Sequence, residues 1–410
     1  MKTITTQIIA FSLLTTVACS NAKDNDSSIV KIDADKDYPV LNLKLTDIAD
    51  VSYIPLKGSS NPSLMQISPV VQTFNIFIAK DRLFILDRNR TDSKILVYDY
   101  SGKPLYRIGR HGNGPGELSY DGFRFTVDIK RNEVYIWDSN SKLFVFDLNG
   151  SFIKSQTFDR NLIGFYSYIN NINDKTLMVF SGQKIKLIGE WLRKQTGHDK
   201  VWDSGKRSLI FIDKDNLTLV DHPDINFTRP HTDAVALNSA LLSSENGTYF
   251  FTLCSDTTYF IDRNLKIIPK FVDVTKYNKN KYKTQNNIDI FPIAEFGRYI
   301  FLSTEIALSY GEKPDPGDFK YLVYDKKTKK LYSCPKVKTN AYNSESLHFA
   351  FPGGGSMNPG FLVKCLPLSF LKKEYKNLPL QLRKIVDQGS ENDGPVLLMF
   401  IPAMLTPIPG

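Results

Sequence analysis

Ready-made chemistry is scarce in these 410 residues. There are four cysteines and five histidines. So few cysteines over this length exclude a disulfide-stapled scaffold. The histidines (His111, His198, His222, His231 and His348) form no H-x-x-x-H, H-E-x-x-H or H-x-H pair, so no single element supplies a metal site. No cofactor is expected, and no motif supports a Ca²⁺ ion. A G-x-S-x-G elbow is missing, and "SGKRS" (204–208) lacks the upstream glycine of a phosphate loop. The net charge of +9 is dispersed. Its densest run, "KYNKNKYKTQNN" (276–287), interleaves lysine with Tyr277 and Tyr282. An exported chain has no use for nucleic acid, so the run reads as a solvated loop, with a polyanion patch as the weaker option.

What is present is aromatic and β-branched. Aromatics make up 12% of the chain, mostly Phe and Tyr, which favours strands over disorder. The first 19 residues form a secretory signal: Lys2, a short apolar run Ile8–Leu14, then small residues before Cys19. "TTVACS" resembles the lipobox of bacterial lipoproteins, with Thr16 where an aliphatic residue is usual; the resemblance implies acylation of Cys19. Residues 20–44 read as a flexible tether, since 20–36 are polar, acidic and free of aromatics. With Cys19 acylated, Cys254, Cys334 and Cys365 remain, enough for one disulfide. Cys254, in "YFFTLCSD", reads as a core residue.

A repeat organises residues 45–402. "VYDYSGKPLYRI", "VFDLNGSFIKS", "FIDKDNLTLV", "FIDRNLKIIP" and "VYDKKTKKLYS" each place an Asp (Asp99, Asp147, Asp213, Asp262, Asp325) before a polar turn and a second strand. Each reads as a β-hairpin, its Asp capping the turn rather than reacting. Steps of 48, 66, 49 and 63 residues between these aspartates fit four-stranded units, two of them enlarged by insertions at 181–207 and 310–319. The ordered span holds about six units, which predicts an all-β, six-bladed β-propeller with four-stranded antiparallel blades. A β-sandwich with a second β domain is the alternative. "VSYIPL" (51–56) and "PVLLMF" (395–400) are the expected closing strands. One segment is helical: 369–389 carries Leu371, Tyr375, Leu378, Leu382 and Ile385 at helical spacing, split by Pro379 and capped by Gly389. Residues 403–410 form a proline-rich tail.

"YDYSGKPLYRIGRHGNGPGEL", "VSYIPLKGSSNPSLMQIS", "FVFDLNGSFIKS" and "ENDGPVLLMF" together resemble the six-bladed propeller lipoproteins of Bacteroidetes, similar in fold to TolB-like and NHL-repeat propellers. Asp24 and Asp26 resemble the acidic mark that follows the cysteine in their surface-exported members. The resemblance implies an outer-membrane, lipid-anchored protein associated with glycan or nutrient uptake, whose partner is a glycan, a peptide or an outer-membrane protein.

Two glycine-rich stretches are the candidate sites. In 106–123 Gly109, Gly112, Gly114 and Gly116 free the backbone to form an anion-binding concavity, while Pro115 stiffens it. The run links the outer strand of one blade to the inner strand of the next, across the face that holds the central opening. Arg110, His111, Asn113 and Glu117 are its candidate ligand residues. The other reading is a rigid turn whose amides Glu117 accepts. In "HFAFPGGGSMNPGF" (348–361), Phe351 and Phe361 are candidates for stacking on a sugar. No catalytic residue is named. A binding or scaffold module is the first reading, and a propeller-type hydrolase or lyase using His111 and Glu117 is the alternative.

Overall fold

The computed structural model describes residues 29–43, 48–58, 76–79, 81–87, 93–118, 123–138, 140–159, 167–181, 209–221, 223, 240–251, 255–275, 288–306, 320–334, 361–390 and 393–402. After β1 (Val30–Ile32) and β2 (Ala49–Pro55) the chain builds five antiparallel sheets in order. They are β3–β6 (Ile76–Ile78, Leu83–Asp87, Lys94–Tyr98, Pro104–Ile108) and β7–β10 (Arg124–Asp128, Glu133–Trp137, Lys142–Asp147, Phe152–Thr157). Next come β11–β14 (Ser167–Asn171, Thr176–Ser181, Leu209–Asp213, Leu219–Asp221) and β15–β18 (Ala240–Ser244, Gly247–Phe251, Thr257–Asp262, Ile267–Asp273). The fifth is β19–β22 (Ile288–Phe296, Tyr299–Ile306, Lys320–Asp325, Lys330–Ser333). The sixth joins β23 (Leu362–Leu366) and β24 (Val396–Pro402) to β2, with Ala49 opposite Pro402 and Pro55 opposite Val396. The two ends of the chain thus share one blade, through the strands the sequence marks for closure.

Ring closure follows from side-chain alternation. Leu83 and Ile85 of β4 point into a core shared with the sixth blade, while Phe84 and Leu86 point into one shared with the second. The buried apolar residues sort into six such clusters, one for each pair of neighbouring blades, the sixth and first included. Middle strands are therefore covered on both faces and read as unbroken apolar runs, such as "LFILD" and "KILVY", buried throughout. Outer strands face water, and β10 ("FIKSQT") is exposed or half-buried along its length.

All five repeated aspartates hold their hairpin turns. Asp99 Oδ1 accepts the Ser101 and Lys103 amides at 2.8 and 3.0 Å, and Asp147 Oδ1 accepts those of Asn149 and Ser151 at 2.9 and 2.8 Å. Asp213, Asp262 and Asp325 repeat the pattern. Each turn needs one residue at positive φ: Gly102 and Gly150 in the first two, then Leu217, Leu265 and Lys329.

Two features add to the expected plan. Within 20–44, read as a tether, β1 pairs in parallel with the outer strand β18, and Ile32 is fully buried between the fourth and fifth blades. Val40 then bridges Ser333 on the fifth blade's outer edge. Ile32 with the buried Ala34 and Leu43 docks this strap, and an acidic composition conceals it. The helical segment comprises α1 (Leu368–Lys373) and α2 (Leu380–Gln388), parted at Pro379, with Leu371, Leu378, Leu382 and Val386 buried against the core between the fifth and sixth blades. Gly389 caps α2 in extended backbone, φ −73°, so it is there for close approach to Leu368 rather than for a left-handed turn.

Candidate functional site

The first strand of every blade runs the same way along the axis, so connections of one kind share one end of the ring. At one end lie the turns joining first to second and third to fourth strands. In the five blades whose four strands are all described, these contain two to five residues. At the other end the chain leaves and re-enters the ring at the blade-to-blade links and the second-to-third-strand connections, among them 182–208, 222–239, 307–319 and the helical link 367–395 of the sixth blade, whose outer strand β2 leads directly into β3. The glycine loop at 109–118 therefore belongs to this long-connection end, and the strands that flank both insertions and the lysine-rich run end there. Phe351, Cys19, Cys254, the signal, the tail, the run at 276–287 and four of the five histidines lie outside the described residues.

Within 109–118 the glycine loop is closed by its own atoms. Arg110 Nε meets Glu117 Oε1 at 2.8 Å, and the Gly114 amide donates to Glu117 Oε2 at 2.7 Å. The Leu118 amide donates to the Arg110 carbonyl at 2.8 Å, and the Gly112 amide to the Leu118 carbonyl at 3.2 Å. A Cβ on Gly112 would stand 2.0 Å from Glu117 Oε2, so glycine there makes room for the carboxylate. The anion this concavity holds is thus the chain's own. The Gly114 amide and then the charges of Arg110 and His111 hold Glu117 below the ordinary carboxylate range, which suits a turn anchor rather than a proton donor. Gly116, at φ +74°, lies against the ring of Phe152 at the start of the outermost strand of blade two, so the loop rests on the rim as well as the face. Arg110 remains largely exposed. Phe361, half-buried, packs on the core between the sixth and first blades. Asn113 takes part through its amide beside Glu117.

Two groups of residues carry no sequence signal. The Arg124 guanidinium stacks over the Tyr168 ring at 5.0 Å, joining the innermost strands of blades two and three near the long-connection end. Deeper, the Asn170 amide donates to Thr248 Oγ1 at 2.6 Å and its oxygen accepts Ser243 at 3.3 Å. At the opposite end Lys214 is fully buried, its Nζ donating to Asp128 Oδ2 (2.5 Å), Asn171 Oδ1 (2.6 Å) and the Asn173 carbonyl (2.5 Å). Burial lowers its pKa, and the Asp128 carboxylate opposes that. Around it Arg131 bonds Glu133 at 2.8 Å and Asp215 at 2.6 Å. Every acceptor of Lys214 is internal, so this cluster locks blades two and three together. Among the described residues no group of three His, Cys, Asp or Glu is placed to hold a metal. Cys334 and Cys365 are both free thiols in different inter-blade cores, pushed up by burial to about 11 and about 12.

Six blades closed into a ring define a β-propeller. Residues 28–400 match the family described as a domain of unknown function, DUF4934, and the chain belongs to that family. Among solved structures, a protein assigned as exported in Bacteroides fragilis NCTC 9343 is 16% identical, aligned over 92% of this chain and 99% of that one, with a TM-score of 0.57. A DUF4221-family member from Bacteroides vulgatus is 13% identical over 86% of this chain and 98% of that one, with a TM-score of 0.44. No curated protein matches the chain.

Proposed function

We propose that the chain is an exported binding or scaffold module, held at the outer membrane by an acyl chain on Cys19, whose long-connection end receives a glycan, a peptide or an outer-membrane protein in glycan or nutrient uptake. The observation that carries the reading is the asymmetry of the ring. Six rigid cores fix a frame, the turns at one end have two to five residues in the five blades whose four strands are all described, and the strands flanking the long connections, the helical link included, end at the other. Arg124 over Tyr168 offers that end a cation beside an aromatic face, a pairing suited to sugars and carboxylates. The likeness to an exported Bacteroides protein supports export through the fold alone. Among the described residues no helix is long and apolar enough to cross a membrane.

The test is a binding screen of the purified chain against a polysaccharide panel, peptides and detergent-solubilised outer-membrane proteins. Replacing 307–319 by a two-residue turn, or Tyr168 by Ala, is expected to weaken the captured ligand at least about tenfold, the loss of an aromatic hot spot. Undiminished binding in both variants would refute this placement.

A further inference from the structure

The α1–α2 link lies at the long-connection end, and its outer surface is basic. Strands β23 and β24 are the second and third of blade six, and β2 is its fourth, leading directly into β3. Contacts between blades agree. The end of β2 meets the blade-one turn at Gly102 through the Pro55 carbonyl, as the end of β6, a fourth strand, meets the blade-two turn at Gly150 through the Arg107 carbonyl. Leu371, Leu378, Leu382 and Val386 turn into the core between blades five and six, leaving Lys372, Lys373, Lys376 and Lys384 exposed on the outer side. Helical spacing seats Phe370 beside Lys373, and Leu380, 69% exposed, beside Lys384. Arg383 fixes the turn that presents Lys376, its guanidinium donating to the Leu378 and Lys376 carbonyls at 2.8 and 2.9 Å. The acids of this segment are engaged locally: Asp387 accepts the Tyr375 hydroxyl at 3.0 Å and Glu374 the Asn377 amide at 3.2 Å. The exposed Arg110 adds a further cation at the same end.

The chemistry of this surface selects its occupant. Protein interfaces centre on desolvated aromatic and apolar side chains and are poor in lysine, whereas here four lysines surround two isolated apolar side chains. Chain direction argues against a bilayer. Strand β18 starts at Ile267, directly after a short turn, and runs toward the long-connection end. Because β1 lies parallel to it, with Val30 opposite Phe271 and Ile32 opposite Asp273, the chain traced back from Ile29 points to the short-turn end. An anchor upstream of Ile29 therefore acts from the end opposite these lysines. What remains is a long, soluble chain of repeated negative charge. Lysines are point charges on flexible stems, so they meet carboxylate or sulfate groups without demanding a fixed angle. A sugar ring adds C–H faces for Phe370 and Leu380 to cover, which a polyphosphate lacks.

We infer that the outer side of the helix pair binds an acidic polysaccharide, a linear glycan bearing carboxylate or sulfate groups. The inference deepens the proposed function and rests on its placing of the receiving face at the long-connection end. Affinity electrophoresis of the purified chain through gels holding polygalacturonate, dextran sulfate or neutral dextran tests it. Both charged polymers are expected to retard the chain and neutral dextran to leave it free, and rising salt should abolish the retardation. Joint reversal of Lys372, Lys373, Lys376 and Lys384 to Glu should weaken binding at least about tenfold. The same reversal of Lys103, Lys266, Lys327 and Lys330, exposed in or beside turns at the short-turn end, should cost less than about threefold, because salt near physiological strength screens each charge beyond about 8 Å. This control carries the same change in net charge. No retardation by either charged polymer, equal losses from the two reversals, or no loss in the first variant while it still melts cooperatively would overturn the inference. So would lysine-dependent sedimentation with phosphatidylglycerol vesicles that polygalacturonate does not compete away, since lipid would then be the occupant. A neutral polysaccharide captured by the chain, lost when 307–319 is replaced but not on lysine reversal, would refute this inference and leave the proposed function standing.

Discussion

The buried Lys214–Asp128 pair offers the sharpest test of how the blades are joined. In Lys214→Met the ammonium is lost while Asp128, almost wholly buried, keeps its carboxylate without its cation, and Asn171 and the Asn173 carbonyl lose a donor. Breaking one partner of a buried pair costs about 3–5 kcal/mol. Unfolding entropy near 2.1 cal/mol/K per residue over about 370 residues converts this to a fall in Tm of roughly 4–6 °C. The paired state itself is nearly neutral against well-packed apolar groups, so adding Asp128→Leu should recover most of the loss. Urea unfolding and thermal melts of the two single variants and the double variant close the cycle, and a coupling of about 2 kcal/mol or more is expected. Additive losses, with the double variant the worst of the three, would refute the claim that Lys214 is held for Asp128 and not for its packing alone.

Other consequences follow from the turns and the strap. A Cβ on Gly102 would stand 1.8 Å from the Pro55 carbonyl at φ +80°, so Gly102→Ala should cost about 2–5 kcal/mol in urea unfolding, whereas Lys329→Gly, exposed at φ +56°, should gain about 0.5–1 kcal/mol. Glu117 has a folded pKa below its unfolded value, so its contribution is complete above the ordinary glutamate range, about 4.3, and is lost as pH falls through the folded value. Hydrogen exchange at Gly114 should accelerate over that acidic window in the native chain, and Glu117→Gln should remove the pH dependence. Ile32→Ala empties the strap's one fully buried side-chain site, so limited proteolysis should cut between residues 28 and 48 faster while the ring resists.

The blades were legible because their signal is local. A third strand ending in Asp, a tight turn with a left-handed residue and a half-exposed outer strand fit within about a dozen residues, and the five copies differ mainly in whether the left-handed position holds glycine, leucine or lysine. The closing strands were legible for the same reason, since "PVLLMF" is a middle strand with both faces covered. The strap was not. Its buried residues, Ile32, Ala34 and Leu43, fall at no strand or helix period, and a parallel pairing of three residues with a strand some 240 positions away leaves no periodicity in its own segment. Lys214 hides in a turn of the kind that elsewhere exposes its lysines. Only the approach of Asp128 and Asn171 from two different first strands encloses it.

The glycine run shows how a motif can be read correctly as geometry and still mislead as chemistry. Freed amides, a concavity and a basic neighbour are what an anion site requires, and all three are present in 109–118. What decides occupancy is the residue three positions beyond Gly114. Glu117 is tethered to the concavity by its own backbone, so it is present at an effective concentration that a free ligand rarely reaches. An external anion would have to displace it and leave a carboxylate seeking another partner. The run therefore shapes the long-connection end by holding Arg110 outward on a fixed loop, and any recognition there falls to that exposed guanidinium and to the long connections around it, not to the glycine amides.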